Sequence, residues 1–319
     1  MSAGGEGHGS TRAIVAALLA NVAIAVAKFV GFLVTGSSSM LAESVHSVAD
    51  SGNQGLLLLG GKKARKEADD EHPFGYGRER YFWAFVVALV LFTLGGVFSL
   101  YEGVHKLEHA RAHPEETLES PLVAIGILLF AIVAEGFSFR TAIKESRPLK
   151  GAQSWWSFIR NAKVPELPVV LLEDFGALIG LALALVGVVL AAVTDNLVFD
   201  ALGTLAIGLL LLVIAVVLVM EMRGLLIGES ATKDQVAQVR TALVDGERIT
   251  RVIHLKTLHL GPEELLVAAK VGLAEGLGIE QVAEAIDAAE ERVRAAVPIA
   301  RVMYLEPDLY RSQQGSARI

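Results

Sequence analysis

The sequence predicts a bundle of six membrane-spanning α-helices followed by a small α+β domain, and three observations carry that prediction. The first is composition: of 319 residues, 53% are hydrophobic and only 20% charged, with a mean hydropathy of +0.52. The second is a series of six apolar windows, each about the 20 residues needed to cross a hydrocarbon core. The third is a change of character after Arg223, where helix and strand periods replace unbroken apolar runs. The chain has no cysteine, which excludes disulfides and thiolate ligands and leaves His, Asp, Glu, Asn, backbone and water as metal donors. Its net charge of -7 and pI near 5.7 argue against a nucleic-acid partner.

The six windows are Ala13 to Val34, Met40 to Gly61, Tyr81 to Leu100, Leu122 to Phe139, Leu167 to Thr194 and Leu197 to Met222. Residues 1–11 read as a Gly-rich tail, 12–227 as the helical domain, 228–310 as the soluble domain and 311–319 as a second tail. Arg12 is the only Lys or Arg ahead of the first window, and no evident small-residue cleavage site follows a short apolar core, so the window reads as a retained helix. Loop charge sets the orientation. Lys62, Lys63, Arg65, Lys66, Arg78 and Arg80 separate windows two and three; Arg140, Lys144, Arg147, Lys150, Arg160 and Lys163 separate four and five; the other connections carry few basic residues. By the positive-inside rule both termini face the cytoplasm or its organellar equivalent, and the expected location is a bacterial inner (plasma) membrane.

In the soluble domain, Thr232 with Gln235 marks a capped helix start. Val252 to Leu260 and Glu264 to Leu273 alternate as two strands about Gly261-Pro262. Ile279, Val282, Ile286, Ala289 and Val293 form a helical stripe, and Arg301 to Leu305 forms a last strand. The order αββαβ points to a ferredoxin-like sandwich whose sheet could support a homodimer.

Candidate chemistry sits in the second and fifth windows. Glu43, His46, Asp50 and Asn53 interrupt an otherwise apolar run and fall within an arc of about 80° on one helix face. A carboxylate near a bilayer centre costs ~2.5–3.5 kcal/mol on insertion scales, against ~0.3–0.6 returned by each Leu. Metal or proton handling is therefore favoured over a polar seam that merely hydrogen-bonds neighbouring helices. An imidazole and a carboxylate one turn apart suit a borderline dication such as zinc. In the fifth window Glu173 and Asp174 are adjacent and so point about 100° apart. Asp174 is the preferred ligand, with Glu173 facing a cavity, a partner helix or the ion's outer shell. Packing of the two windows would let His46, Asp50 and Asp174 share an ion, completed by water, Glu43, Asn53 or Glu173.

These residues resemble the cation diffusion facilitators, secondary transporters that exchange zinc and related divalent ions for protons. The resemblance covers nearly the whole chain and rests on Ser38-Ser39-Met40-Leu41-Ala42-Glu43-Ser44-Val45-His46-Ser47-Val48-Ala49-Asp50, on His72-Pro73-Phe74-Gly75-Tyr76-Gly77-Arg78 and on Leu305-Glu306-Pro307. It implies that His46, Asp50 and Asp174 hold the ion, that the cargo is Zn2+ coupled to H+ with no resident cofactor, and that the chain is no enzyme. Most members carry His or Asp four residues before the fifth-helix aspartate, where this chain has Val170. Leu171-Leu172-Glu173-Asp174 and Asn53-Gln54 instead look like the branch that includes the mitochondrial zinc transporter. An oxygen-richer shell would be easier for manganese, iron or cobalt to share. His46 must be neutral and both aspartates ionised to bind a dication, so entry of metal releases protons. A non-transporting membrane sensor or scaffold is the alternative of a different class. Metalloprotease, nucleophile-turn and nucleotide-loop motifs are absent from the sequence.

Other polar positions carry weaker expectations. Asn21 and Lys28 share a face of the first window, where Lys28 pairs with a carboxylate such as Glu135 or snorkels to an interface. Asp200 and Glu221 lie at window boundaries, where hydrated carboxylates are usual. His105, His109 and His113 repeat at i, i+4 and i+8 beyond the third window, with Glu102 one turn earlier; a solvated extension is favoured over an exit-side metal cluster. His72 with Asp69 or Asp70 is a weak second site in a loop of solvated charge. Trp155, Trp156 and Phe158 beside Arg160 and Lys163 read as an interfacial segment or a packed loop. In the soluble domain only His254 and His259 are present, and Tyr304 stands where many relatives of this family use histidine, so a zinc pair is not expected there.

Overall fold

The computed structural model describes residues 22–118 and 120–310. Asn21, both tails and the start of the first window lie outside them. The described chain forms α1 (Val22–Thr35), α2 (Ser38–Lys63), α3 (Glu79–Val90), a π-helical turn over Leu91–Val97, α4 (Phe98–Ala112), α5 (Pro121–Lys150), α6 (Trp155–Asn161), α7 (Glu166–Thr194) and α8 (Val198–Ile227). Then follow α9 (Lys233–Leu243), β1 (Ile249–Gly261), β2 (Glu264–Leu273), α10 (Ile279–Ala296) and β3 (Val302–Leu309). Two compact units result, one of residues up to Lys62 with Phe82–Arg223, the other of Lys63–Tyr81 with Gly224 onward.

Among the described residues of the helical unit, four helices are long and apolar enough to cross a membrane: the continuous α3–α4 rod, α5, α7 and α8. Their outward faces carry Leu122, Phe130, Phe137, Val193, Leu209 and Met220, all exposed. Such faces suit lipid, which does not penalise exposed Leu and Phe. Inside, backbones approach closely at small residues. A Cβ added at Gly208 of α8 would lie 2.8 Å from the Leu100 nitrogen and 3.1 Å from the Gly96 carbonyl oxygen. That approach coincides with the π-turn, where Thr93 Oγ1 donates to the carbonyls of Leu89 and Val90. The α7–α8 connection is only three residues long, Asp195 to Leu197, because Asp195 takes the left-handed conformation (φ 50°) that ends α7, and Asn196 Oδ1 accepts from the Val198 nitrogen at 3.0 Å to start α8.

The second unit has the predicted αββαβ order. Its sheet runs β1-β2-β3, antiparallel between β1 and β2 and parallel between β2 and β3. Both arms of the Thr232–Gln235 capping box form. Val239, Leu243, Ile249, Leu265, Val267, Val271, Ala289 and Val293 make the core. Two details depart from the sequence reading. Ile279 is 84% exposed, because the first turn of α10 precedes the stripe that meets the sheet; Ala285 takes its place in the core. β3 also continues past Leu305 to Leu309, with Pro307 opposite Val271. An edge strand tolerates the missing amide. The connection Lys63–Tyr81 belongs to this unit: a Cβ at Gly77 would lie 2.8 Å from the Leu260 carbonyl oxygen, and Arg80 meets Glu263 at 3.4 Å.

Candidate metal centre

α2 turns its polar stripe inward, while Val48, Leu58 and Leu59 of the same helix are exposed. Glu43, His46 and Asn53 are all buried, and the Asp50 side chain is 15% exposed. His46 Nδ1 lies 3.5 Å from Asp50 Oδ1. Among the described residues no hydrogen bond reaches either ring nitrogen of His46, Asp50 Oδ1, Asn53 Oδ1 or Glu43 Oε1. Buried donors and acceptors are normally paired, and leaving one unpaired costs about 1–3 kcal/mol. Five such atoms on one helix face are therefore a chemical resource and not ordinary packing.

The surrounding helices complete the pocket of charge. From α1, the Lys28 ammonium reaches Glu43 Oε2 at 3.1 Å and donates to Ser47 Oγ at 2.7 Å. Lys28 therefore pairs with Glu43, not Glu135, and does not snorkel: its side chain is wholly buried. From α7, Glu173 accepts from Asn53 Nδ2 at 2.6 Å, which uses it as a helix partner. Asp174 accepts from Ser138 Oγ of α5 at 3.0 Å. Glu135, one turn earlier on α5, lies within electrostatic reach of His46, Asp50 and Asp174. The sequence reading gave Glu135 no place in the centre, although an acid inside an apolar window was the available signal. Gly180 of α7 leaves room for the Glu43 carboxylate, since a Cβ there would lie 2.6 Å from Oε1. Val170 packs instead on the apolar cluster of Ala142, Phe158 and Leu171.

His46 and Asp50 thus stand together, with Asp174 in electrostatic range of Asp50. The three do not gather their donor atoms within 4.8 Å; among the described residues the group that does is His109, His113 and Glu116. His105 is outside that group and stacks on Tyr101, ring centroids 6.4 Å apart. At the weak second site the acid beside His72 is Asp69, with His72 Nδ1 3.7 Å from Asp69 Oδ1. Asp70 is exposed and His72 turns to Asp69, whose oxygens accept from Lys66 Nζ (2.7 Å), Tyr76 Oη (2.8 Å) and the His72 nitrogen (2.8 Å). Hydrogen bonds from Lys66 first, then from the His72 backbone and Tyr76, hold the Asp69 carboxyl well below its usual range. With its oxygens occupied, Asp69 serves as the fastener of a turn.

Asp200 corrects another expectation. Far from being hydrated, it is 3% exposed and accepts from Ser37 Oγ at 2.8 Å, the Ser38 nitrogen at 2.8 Å and Ser38 Oγ at 2.9 Å. A carboxylate from α8 caps the start of α2, satisfying an amide that the helix itself cannot. Glu221 pairs with Arg160 at 3.3 Å. α6 follows the Ser154 cap, with Phe158 buried and Trp156 exposed.

This geometry can be set beside known proteins. Residues 14–227 match the family model of the cation efflux transmembrane domain. The chain belongs to the cation diffusion facilitator, or cation efflux, family. It is 33% identical over 247 residues to the mitochondrial proton-coupled zinc antiporter of Homo sapiens, an alignment covering 76% of this chain and 42% of that protein. Metal tolerance protein C4 of Arabidopsis thaliana is 31% identical over 266 residues, 82% of this chain and 57% of the relative. Magnetosome protein MamB of Paramagnetospirillum magneticum is 34% identical over 121 residues, 37% of this chain and 38% of the relative. This cation diffusion facilitator thus spans about half the length of the first two, and it falls in the branch of the mitochondrial zinc antiporter. It is a multi-pass membrane protein of a transporter family, not an enzyme.

Proposed function

We propose that the protein exports Zn2+, or a related divalent cation, in exchange for protons by alternating access. The observation that carries this reading is the set of buried atoms on α2 that no hydrogen bond reaches among the described residues, namely both nitrogens of His46, Asp50 Oδ1 and Asn53 Oδ1. Their number and type match the demand of a borderline dication for imidazole and carboxylate ligands. The names of the relatives, which include zinc antiport and metal tolerance, agree with it.

In this proposal His46, Asp50 and Asp174 bind the ion, with Glu135 as an additional carboxylate in place of the ligand that Val170 cannot provide. Ser138 orients Asp174 through its 3.0 Å hydrogen bond, as outer partners commonly fix a ligand's direction. The separation of Asp174 from the His46–Asp50 pair gives the site something to close on, which a carrier requires and a structural zinc site does not. Binding needs His46 neutral and the aspartates ionised, so the ion displaces protons, and reprotonation on the far side discharges it. Six spans are proposed, with α1 and α2 joining the four strongly apolar ones. Both termini then lie on the side of the basic connections, and the ferredoxin-like domain there supports a homodimer. Transport runs from cytosol or matrix, driven by inward protons.

Reconstitution in proteoliposomes with a zinc-sensitive dye on one side and a pH-sensitive dye on the other tests the proposal. Wild type moves protons against zinc. His46→Ala abolishes the proton movement and Asp50→Ala abolishes flux in a normally assembled protein; unchanged coupled flux in either overturns the reading. A panel of Mn2+, Fe2+ and Co2+ in the same vesicles defines the cargo.

A further inference from the structure

One group of metal-type donors has no part in the transport mechanism. α4 outlasts its apolar section and ends at Ala112, where His113 leaves helical geometry (φ −128°, ψ 68°). The chain turns back at once, with the Glu116 nitrogen donating to the His113 carbonyl at 3.1 Å. That turn brings the Glu116 carboxylate to 2.8 Å from His109 Nε2. The His109 and His113 rings lie 4.5 Å apart at 34°, and His113 Nδ1 sits 3.3 Å from the His109 carbonyl oxygen. One donor atom from each of His109, His113 and Glu116 lies within 4.8 Å of the others. The His109 hydrogen bond also holds the Glu116 carboxyl below its usual range.

We propose that His109, His113 and Glu116 form a second binding site for a borderline divalent cation such as zinc, separate from the centre on α2 and α7. Two imidazole nitrogens and one carboxylate oxygen are the donor set of three-ligand zinc sites, in which water fills the open position. Magnesium and calcium, which prefer all-oxygen shells, are disfavoured. Tetrahedral zinc with ligands at ~2.0–2.1 Å spaces its donors about 3.3 Å apart, so the 2.8 Å pair of His109 and Glu116 opens slightly to admit the ion. His113 and Glu116 are exposed, and the adjustment disturbs no core packing. The site lies at the C-terminal end of the α3–α4 rod. Under the antiport reading that end is the discharge side, so the site would receive released ions; this role rests on that reading, whereas the site does not.

The test is calorimetric titration of the purified full-length chain with zinc chloride, in wild type and in an Asp50→Asn/Asp174→Asn background. The background retains one zinc, and X-ray absorption of that zinc shows two imidazole nitrogens. Adding His109→Ala/His113→Ala removes it, and the same pair of changes lowers wild-type stoichiometry by one. Glu116→Gln, which preserves size, weakens the background site by at least the ~10–100-fold typical of losing an outer partner. Zinc stoichiometry unchanged by His109→Ala/His113→Ala in wild type, or a background zinc coordinated by oxygen alone, overturns the proposal. Transport by Asp50→Asn bears only on the antiport reading, so the two can fail separately.

Discussion

The buried pair of Lys28 and Glu43 offers the most demanding test of the helical core. Both side chains have no solvent exposure, with Nζ 3.1 Å from Oε2, and Glu43 Oε1 has no other partner among the described residues. At an effective dielectric of ~20, Coulomb attraction at this separation is about 5 kcal/mol, offset by a desolvation cost of several kcal/mol for each ion. The net worth of the pair is therefore small, but the cost of halving it is not. Lys28→Met strands a carboxylate in an apolar interior and should destabilise by about 3–5 kcal/mol. Replacing both partners, in Lys28→Met/Glu43→Leu, removes the stranded charge and should recover at least about 2 kcal/mol of that loss. The assay is a double-mutant cycle on unfolding in mixed micelles of rising denaturing-detergent fraction, with Glu43→Leu as the fourth corner. A double variant as unstable as the sum of the singles, or Lys28→Met within about 1 kcal/mol of wild type, would refute the reasoning.

Three further outcomes follow from the same geometry. Asp200→Ala removes the acceptor of Ser37 Oγ, Ser38 Oγ and the Ser38 nitrogen; it should cost about 1–3 kcal/mol in the same unfolding assay and expose the first turn of α2 to amide exchange. Gly208→Ala places a methyl 2.8 Å from the Leu100 nitrogen, where backbone cannot yield cheaply, and should cost about 1–3 kcal/mol in thermal melts. In the second unit, partial burial opposes ionisation of Asp245, but backbone donors at Ile249, Glu247 and Arg248 outweigh it and lower the carboxyl's pKa. A lowered folded-state pKa gives stability that is full above the unfolded value of ~3.9 and is lost as pH falls through the folded one. Asp245→Asn should therefore show a smaller loss of stability than wild type on acidification below about pH 4, and an identical acid profile would refute this.

What the sequence revealed and what it hid divide along physical lines. Length and hydropathy exposed the α3–α4 rod, α5, α7 and α8 because lipid demands unbroken apolar runs. The soluble domain was legible through caps and alternation, down to both arms of the Thr232–Gln235 box. α2 was recognisable by its cost, since His46 and Asp50 would be expensive intruders without a purpose. Partners across the bundle were not legible: Lys28 could be assigned only to a carboxylate such as Glu135 or to an interface, and packing shows Lys28 on Glu43 and Glu135 within electrostatic reach of Asp50. Asp200 read as hydrated because its three donors lie more than 160 residues away. Glu116 replaced His105 beside His109 because a turn, which helical spacing cannot anticipate, folds the chain back after His113.

The grip of Asp200 on Ser37 and Ser38 bears on how the donor-bearing helix can move. A rod pinned at one end rocks with a displacement that grows along its length. At 1.5 Å per residue, His46 lies about 12 Å from Ser38 and Asp50 about 18 Å. A tilt of about 5° would shift them by roughly 1 Å and 1.6 Å respectively, comparable to the range over which metal–ligand bonds make and break. The Ser37–Ser38 pair would then act as the fulcrum, letting a slight lean of one helix alter the grip of atoms about two to three turns away.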